Sequence, residues 1–302
     1  MKYVNKLVVI VGLGFGFALT TAHAQQQPIE IKFAAQVNGQ PFSCGESYKD
    51  VGTTKSTITL SDFRFFVSEV ELLDAQGRAT PVTLTQDKTW QFENVALLDF
   101  ENASGPCRNG TLPTNTSVRG TVPTGKYTGV RFTLGVPFKL NHVDPTTAPA
   151  PLSSTAMFWT WQGGYKFLKV DMASSGSTAG QGHGAAHGAG HGAGHGGGAA
   201  SGFSVHLGST MCASPSKTAA PTACANPNRL TVSFTQFDPS KQTVVADIGA
   251  VLTGANVDVN ASGTSPGCMS FLKDADCPPV MAALGLPYES HAAGPQRFFS
   301  VK

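Results

Sequence analysis

Polar and apolar residues alternate along much of this chain. Ile29, Ile31, Phe33, Ala35 and Val37 alternate with mostly polar neighbours, the period of a half-buried β-strand. Asn38-Gly39 follows, a pair suited to the left-handed backbone of a tight hairpin turn. Further strands are expected over Thr57–Leu60, Phe63–Leu73, Thr80–Leu84, Tyr127–Val136, Met157–Trp161, Tyr165–Val170, Phe203–Leu207, Leu230–Phe237, Thr243–Val251 and Arg297–Val301. One short helix is expected at Val280–Leu284, after Cys277-Pro278-Pro279. Short strands broken by Gly, Pro, Asn and Asp clusters predict an all-β fold: an antiparallel β-sandwich or partly open barrel with long loops.

The first 24 residues break this pattern. Lys2 and Lys6 precede an apolar run from Leu7 to Leu19, and Ala22-His23-Ala24 offers a cleavage site, so residues 1–24 are expected to be a signal peptide. No later run nears the length of about 20 apolar residues that spans a bilayer, so no membrane span is expected. Residues 25–302 are read as one β-rich domain in the periplasm or outside the cell.

Charge and cysteine content narrow the classes further. The chain has 21 basic and 19 acidic residues, two of the former in the leader, which leaves nothing to attract nucleic acid. In an exported chain, Cys44, Cys107, Cys212, Cys224, Cys268 and Cys277 favour three disulfides. Sequence leaves the pairing open; the local pairs are Cys212 with Cys224 and Cys268 with Cys277, leaving Cys44 with Cys107.

Residues 173–202 consist almost wholly of Gly, Ala, Ser and His, with His183, His187, His191 and His195 four apart. Glycine at this density opposes a helix, so a disordered loop inside the domain is expected, with imidazoles available as an accessory metal-collecting tether. The candidate chemistry lies on either side. Met157-Phe158-Trp159-Thr160-Trp161, read as a strand, puts Met157, Trp159 and Trp161 on one face. Asn141-His142 lies upstream, and Ser204-Val205-His206-Leu207-Gly208 downstream. Neither a nucleophile elbow nor an HExxH helix is present.

These stretches resemble the methanobactin-associated MbnP family of copper proteins. The resemblance includes Phe42-Ser43-Cys44-Gly45, Asp62 to Ser68, Leu97 to Glu101, Phe132 to Pro137, Asn141-His142, Met157 to Asp171, His206 to Thr210, Asn228-Arg229 and Gly267 to Ser270. It implies a periplasmic copper-binding protein, not an enzyme, used in storage, scavenging or delivery. It also implies a partner, a di-haem protein of the MbnH type, that oxidises a tryptophan to kynurenine; CorA and MopE are similar copper proteins. Under it, His142 and His206 are ligands, Met157 is a soft addition, and Trp159 or Trp161 is the modified residue. Neither tryptophan has a histidine two positions later, unlike the Trp-x-His arrangement of MopE. Indole nitrogen only donates, whereas the aryl amine of kynurenine can offer a lone pair to copper. The alternatives are an exported carbohydrate-binding or adhesion sandwich, or a hydrolase without metal.

Overall fold

The computed structural model describes residue 1 and residues 25–160, 162–177, 202–216 and 219–302. The expected leader, Trp161 and the four loop histidines His183, His187, His191 and His195 lie outside the described residues. In chain order come β1 (Gln26–Val37), β2 (Gln40–Pro41), β3 (Ser47–Val51), β4 (Ser56–Leu73), β5 (Ala79–Pro81), β6 (Thr83–Leu84), β7 (Gln91–Phe92), β8 (Val95–Asp99), β9 (Ser117–Pro123) and β10 (Gly129–Leu134). The short helix α1 (Phe138–Asn141) is followed by β11 (Phe158–Thr160), β12 (Gly164–Ser174), β13 (Gly202–Gly208), β14 (Thr210–Ala213), β15 (Ala223–Asn226), β16 (Leu230–Phe234) and β17 (Thr243–Asp247). Helices α2 (Ile248–Leu252) and α3 (Cys277–Leu284) and strand β18 (Phe299–Val301) complete the order.

Two sheets carry the fold. One runs β18-β17-β1-β9-β6 with β2 added to β1; the other is built on the path β11-β12-β4-β10-β16. Neither closes into a barrel, so the arrangement is sandwich-like. Pairing is antiparallel except between β1 and β17, which run parallel. Along β4, Phe63 and Phe65 turn to the interior, as alternation requires. There the Phe33 ring of β1 meets Phe65 and Phe132 edge-on at 6.1 and 5.5 Å, and Phe298 and Phe299 pack against Phe65. The opposite face of β4 carries Asp62 and Arg64, both almost fully buried. Burying charge on a sheet requires partners for every group, and this polar face lies beside the candidate site.

Several boundaries differ from the sequence pattern. Thr57–Leu60 and Phe63–Leu73 are one continuous strand, because Leu60 and Asp62 both pair with β12 and Ser61 is taken up as a bulge between them. The strand expected over Thr243–Val251 stops at Asp247, whose carboxylate accepts from the amides of Gly249 and Ala250 and starts α2. Strand β8 had no alternating pattern to reveal it, since all five of its residues are buried. The Gly/Ala/His stretch is narrower than expected: β12 runs to Ser174 and β13 starts at Gly202, with Ala173 opposite Gly202.

Disulfides join Cys44 to Cys107, Cys212 to Cys224 and Cys268 to Cys277. Two are the local pairs expected from the sequence, and Cys44–Cys107 is the pair those two leave. Among the described residues no helix is long and apolar enough to cross a membrane.

Candidate metal centre

The centre is built around the hairpin of β11 and β12. Its strand begins only at Phe158, so Met157 does not share a strand face with Trp159. Met157 instead closes a 3-10 turn, Thr155–Met157, and is fully buried in the core. Trp159 is half-buried and lies across Gly208 of β13. A Cβ on Gly208 would sit 2.4 Å from the indole Cζ3 and 2.8 Å from the Tyr165 carbonyl, so only glycine admits the ring. The Phe271 ring flanks the indole at 5.2 Å.

The same hairpin holds the segment carrying His142. Gly164 has φ +75°, and a Cβ there would fall 2.3 Å from the Asn141 carbonyl. The Tyr165 amide donates to the Asn141 side-chain oxygen at 2.9 Å, which ties the end of α1 to the hairpin. His142 follows directly and is buried. Its Nε2 lies 3.2 Å from the Asn141 amide nitrogen and 3.6 Å from Cys224 Sγ, and Phe138 packs edge-on at 5.1 Å. A ring nitrogen of His142 and the two sulfurs of the Cys212–Cys224 bridge all lie within 4.8 Å of one another.

His206 stands in different company. Strand β13 pairs it with Lys169 of β12, and its Nε2 donates to Asp171 Oδ1 at 2.7 Å. Lys169 Nζ reaches Asp171 Oδ2 at 2.6 Å and also Asp62. Asp62 in turn binds Arg64, and Arg64 Nη1 faces Glu101 at 3.5 Å. The backbone of Cys268 accepts from the His206 amide, and Ser270 Oγ donates to the His206 carbonyl, so the segment after β17 covers this edge. His206 Nδ1 is buried with no hydrogen-bond partner among the described residues.

The electrostatics fix the form of this imidazole. Burial lowers the His206 pKa, outweighing the pull of Asp171 toward the charged form. Burial works to raise Asp171, but the His206 hydrogen bond and Lys169 hold it well below the usual carboxylate range. A neutral imidazole that donates from Nε2 leaves a lone pair on Nδ1, the arrangement in which a carboxylate orients a metal-binding histidine. Lys166, opposite Gly208, is pushed down to about 8 by burial and by Lys169.

The structure therefore brings Trp159 and both histidine segments to one hairpin, with different partners for each imidazole. Lys169, Asp171, Asp62 and Arg64 went unrecognised in the sequence as parts of the site. Their hint was charge on alternate positions of otherwise apolar strands, which reads equally well as a solvated face. The glycines under Trp159 and Asn141, Gly208 and Gly164, gave no hint at all.

The MbnP family model matches residues 26–270. Among solved structures, MbnP from Methylosinus trichosporium is similar, with 32% sequence identity, a TM-score of 0.75, and coverage of 92% of this chain and 98% of that one. Comparison with curated proteins finds no relative. Strands β1 to β17, with the hairpin and the segments of both histidines, lie inside the matched region, and the chain belongs to the MbnP family.

Proposed function

We propose that this protein binds copper outside the cytoplasm, without catalytic turnover of its own, at a centre drawn from His206, His142 and an oxidised Trp159. The observation that carries this reading is His206 itself: an imidazole held by Asp171 through Nε2, with Nδ1 buried and unpartnered, two residues from the glycine that seats Trp159. A buried lone pair without a donor costs free energy unless a ligand such as a metal takes it up. Family membership and the disulfides support the copper and the extracytoplasmic setting.

In this reading a di-haem partner of the MbnH type oxidises the tryptophan. Two oxygen atoms from peroxide add across the indole C2–C3 bond and cleave it, and water then releases the former C2 from nitrogen as formate, leaving an aryl amine and a ketone. Copper bound there would be a soft-to-intermediate ion well matched to imidazole and amine nitrogen. The chain's own residues set the geometry: Gly208 and Phe271 fix the ring, Asp171 fixes the imidazole, and Asn141 fixes the His142 segment.

The test is mass mapping and copper titration of the mature chain before and after treatment with the partner and peroxide. Treatment should add two oxygens and remove one carbon monoxide within the Met157–Lys166 peptide, and tight copper binding should appear in parallel. Trp159→Phe and His206→Ala should each abolish that binding. Tight binding with Trp159 and Trp161 both unmodified would overturn the reading.

A further inference from the structure

The Cys212–Cys224 disulfide differs from the other two in its surroundings. Both of its cysteines are partly exposed, whereas Cys107, Cys268 and Cys277 are buried. It joins directly opposed residues of β14 and β15, a two-stranded ribbon that belongs to neither large sheet. The ribbon has other ties: Thr210 lies opposite Asn226 and Ala213 opposite Ala223, the Asn226 amide donates to Thr210 Oγ1 at 3.1 Å, and the Thr222 amide donates to the Ala213 carbonyl. Opening the bond therefore leaves both sulfurs on a framed surface beside the buried ring of His142.

We propose that this disulfide is a redox gate, and that its reduction creates a two-thiolate, one-imidazole site for Cu(I) made of Cys212, Cys224 and His142. The step balances as thiol–disulfide exchange. A dithiol donor attacks one sulfur through its thiolate, its second thiol releases the mixed disulfide, and the donor leaves oxidised while the protein gains two thiols. Metal binding then displaces the thiol protons. Thiolate and imidazole are the donors that select a soft monovalent copper ion. Ligands about 2.3 Å from a shared ion stand roughly 4 Å apart. The His142 ring is already 3.6 Å from Cys224 Sγ and within 4.8 Å of Cys212 Sγ, and the two bonded sulfurs separate to that spacing once the bond is reduced. This site needs neither Trp159 nor His206, although it shares His142 with the centre proposed above.

The experiment uses the full mature chain. Brief treatment with a dithiol followed by alkylation and peptide mass mapping should label Cys212 and Cys224 ahead of the other four cysteines. After anaerobic removal of the reductant, competition against a chromophoric Cu(I) chelator should reveal an additional equivalent of Cu(I) that oxidised protein does not bind. Cys212→Ser/Cys224→Ser should lose that increment. His142→Ala, which keeps both thiols, should weaken it by about tenfold or more. Trp159→Phe/His206→Ala should keep it, which separates this site from the tryptophan centre. The proposal is overturned if reduced and oxidised proteins bind Cu(I) equally, if the cysteine variant keeps the increment, if His142→Ala leaves it unchanged, or if the Trp159/His206 variant loses it.

Discussion

At the scale of single residues, the centre rests on glycines as much as on ligands. Gly208 lets the Trp159 ring lie against β13, and the atoms a Cβ would meet there are a ring carbon and a backbone carbonyl. Neither can move far, because Tyr165 is paired with Phe158 and tied to the Asn141 side chain, and Phe271 flanks the indole. Gly208→Ala should therefore displace the indole and destabilise the fold by about 1–3 kcal/mol, the usual cost of overpacking. Urea unfolding with tryptophan emission as the probe reads both effects. Unchanged stability and an unchanged emission maximum would show that the ring does not occupy this position. Glu101 offers a parallel case. Its carboxylate occupies the space a Cβ on Gly110 would need, at 1.2 Å, and accepts from the amides of Thr111 and Ala103.

At the scale of elements, one side chain sets two boundaries. Asp247 ends β17 and caps α2, and it also accepts from the backbone amides of Asn38 and Gly39 at 2.9 and 2.7 Å. The Asn38-Gly39 turn thus has the left-handed backbone its sequence asks for, φ +50° and +79°, and an external clamp besides. Asp247→Ala removes the cap and the clamp together. A lost N-cap alone costs about 0.5–2 kcal/mol, so a loss near or above the upper end is expected. Chemical denaturation measures it, and a loss under about 0.5 kcal/mol would mean that the turn and helix stand without this carboxylate. The alternating sequence around Thr243–Val251 suited a strand, but capping of α2 by Asp247 won locally.

At the scale of the whole molecule, the polar face between β4, β12 and β13 couples stability to pH. Burial pushes the Asp99 carboxyl up to about 7, against the pull of Arg64. The folded protein then holds a proton that the unfolded chain has already lost. This group's contribution is full below about pH 4 and disappears as pH rises through about 7. Asp171 acts in the opposite sense: its depressed pKa contributes above about pH 4 and is lost in acid. His206, lowered by burial, likewise contributes above about pH 6.5 and is lost as pH falls below it. Asp99→Asn should remove the loss on the alkaline side. The stability difference between pH 8 and pH 5 should shift in favour of pH 8 by about 1 kcal/mol or more in the variant. An unchanged difference in parallel urea titrations would mean that Asp99 is ionised throughout, paired with Arg64.

What the sequence determined by itself was local. Alternation from Ile29 to Val37 set β1, the phenylalanines of Phe63–Leu73 set the core strand, and the even cysteine count pointed to three disulfides, whose pairing only the fold decided. The histidines and tryptophans were legible as unusual residues because composition is visible without a fold. Tertiary structure decided their partners. Asp171 reaches His206 across 35 residues, and Lys169 reaches Asp62 across 107. Only pairing in the sheet places His142 against a disulfide and His206 against a carboxylate. Periodicity tells which face of a strand a side chain takes, whereas strand order and register, fixed by packing across the whole chain, decide what it meets there.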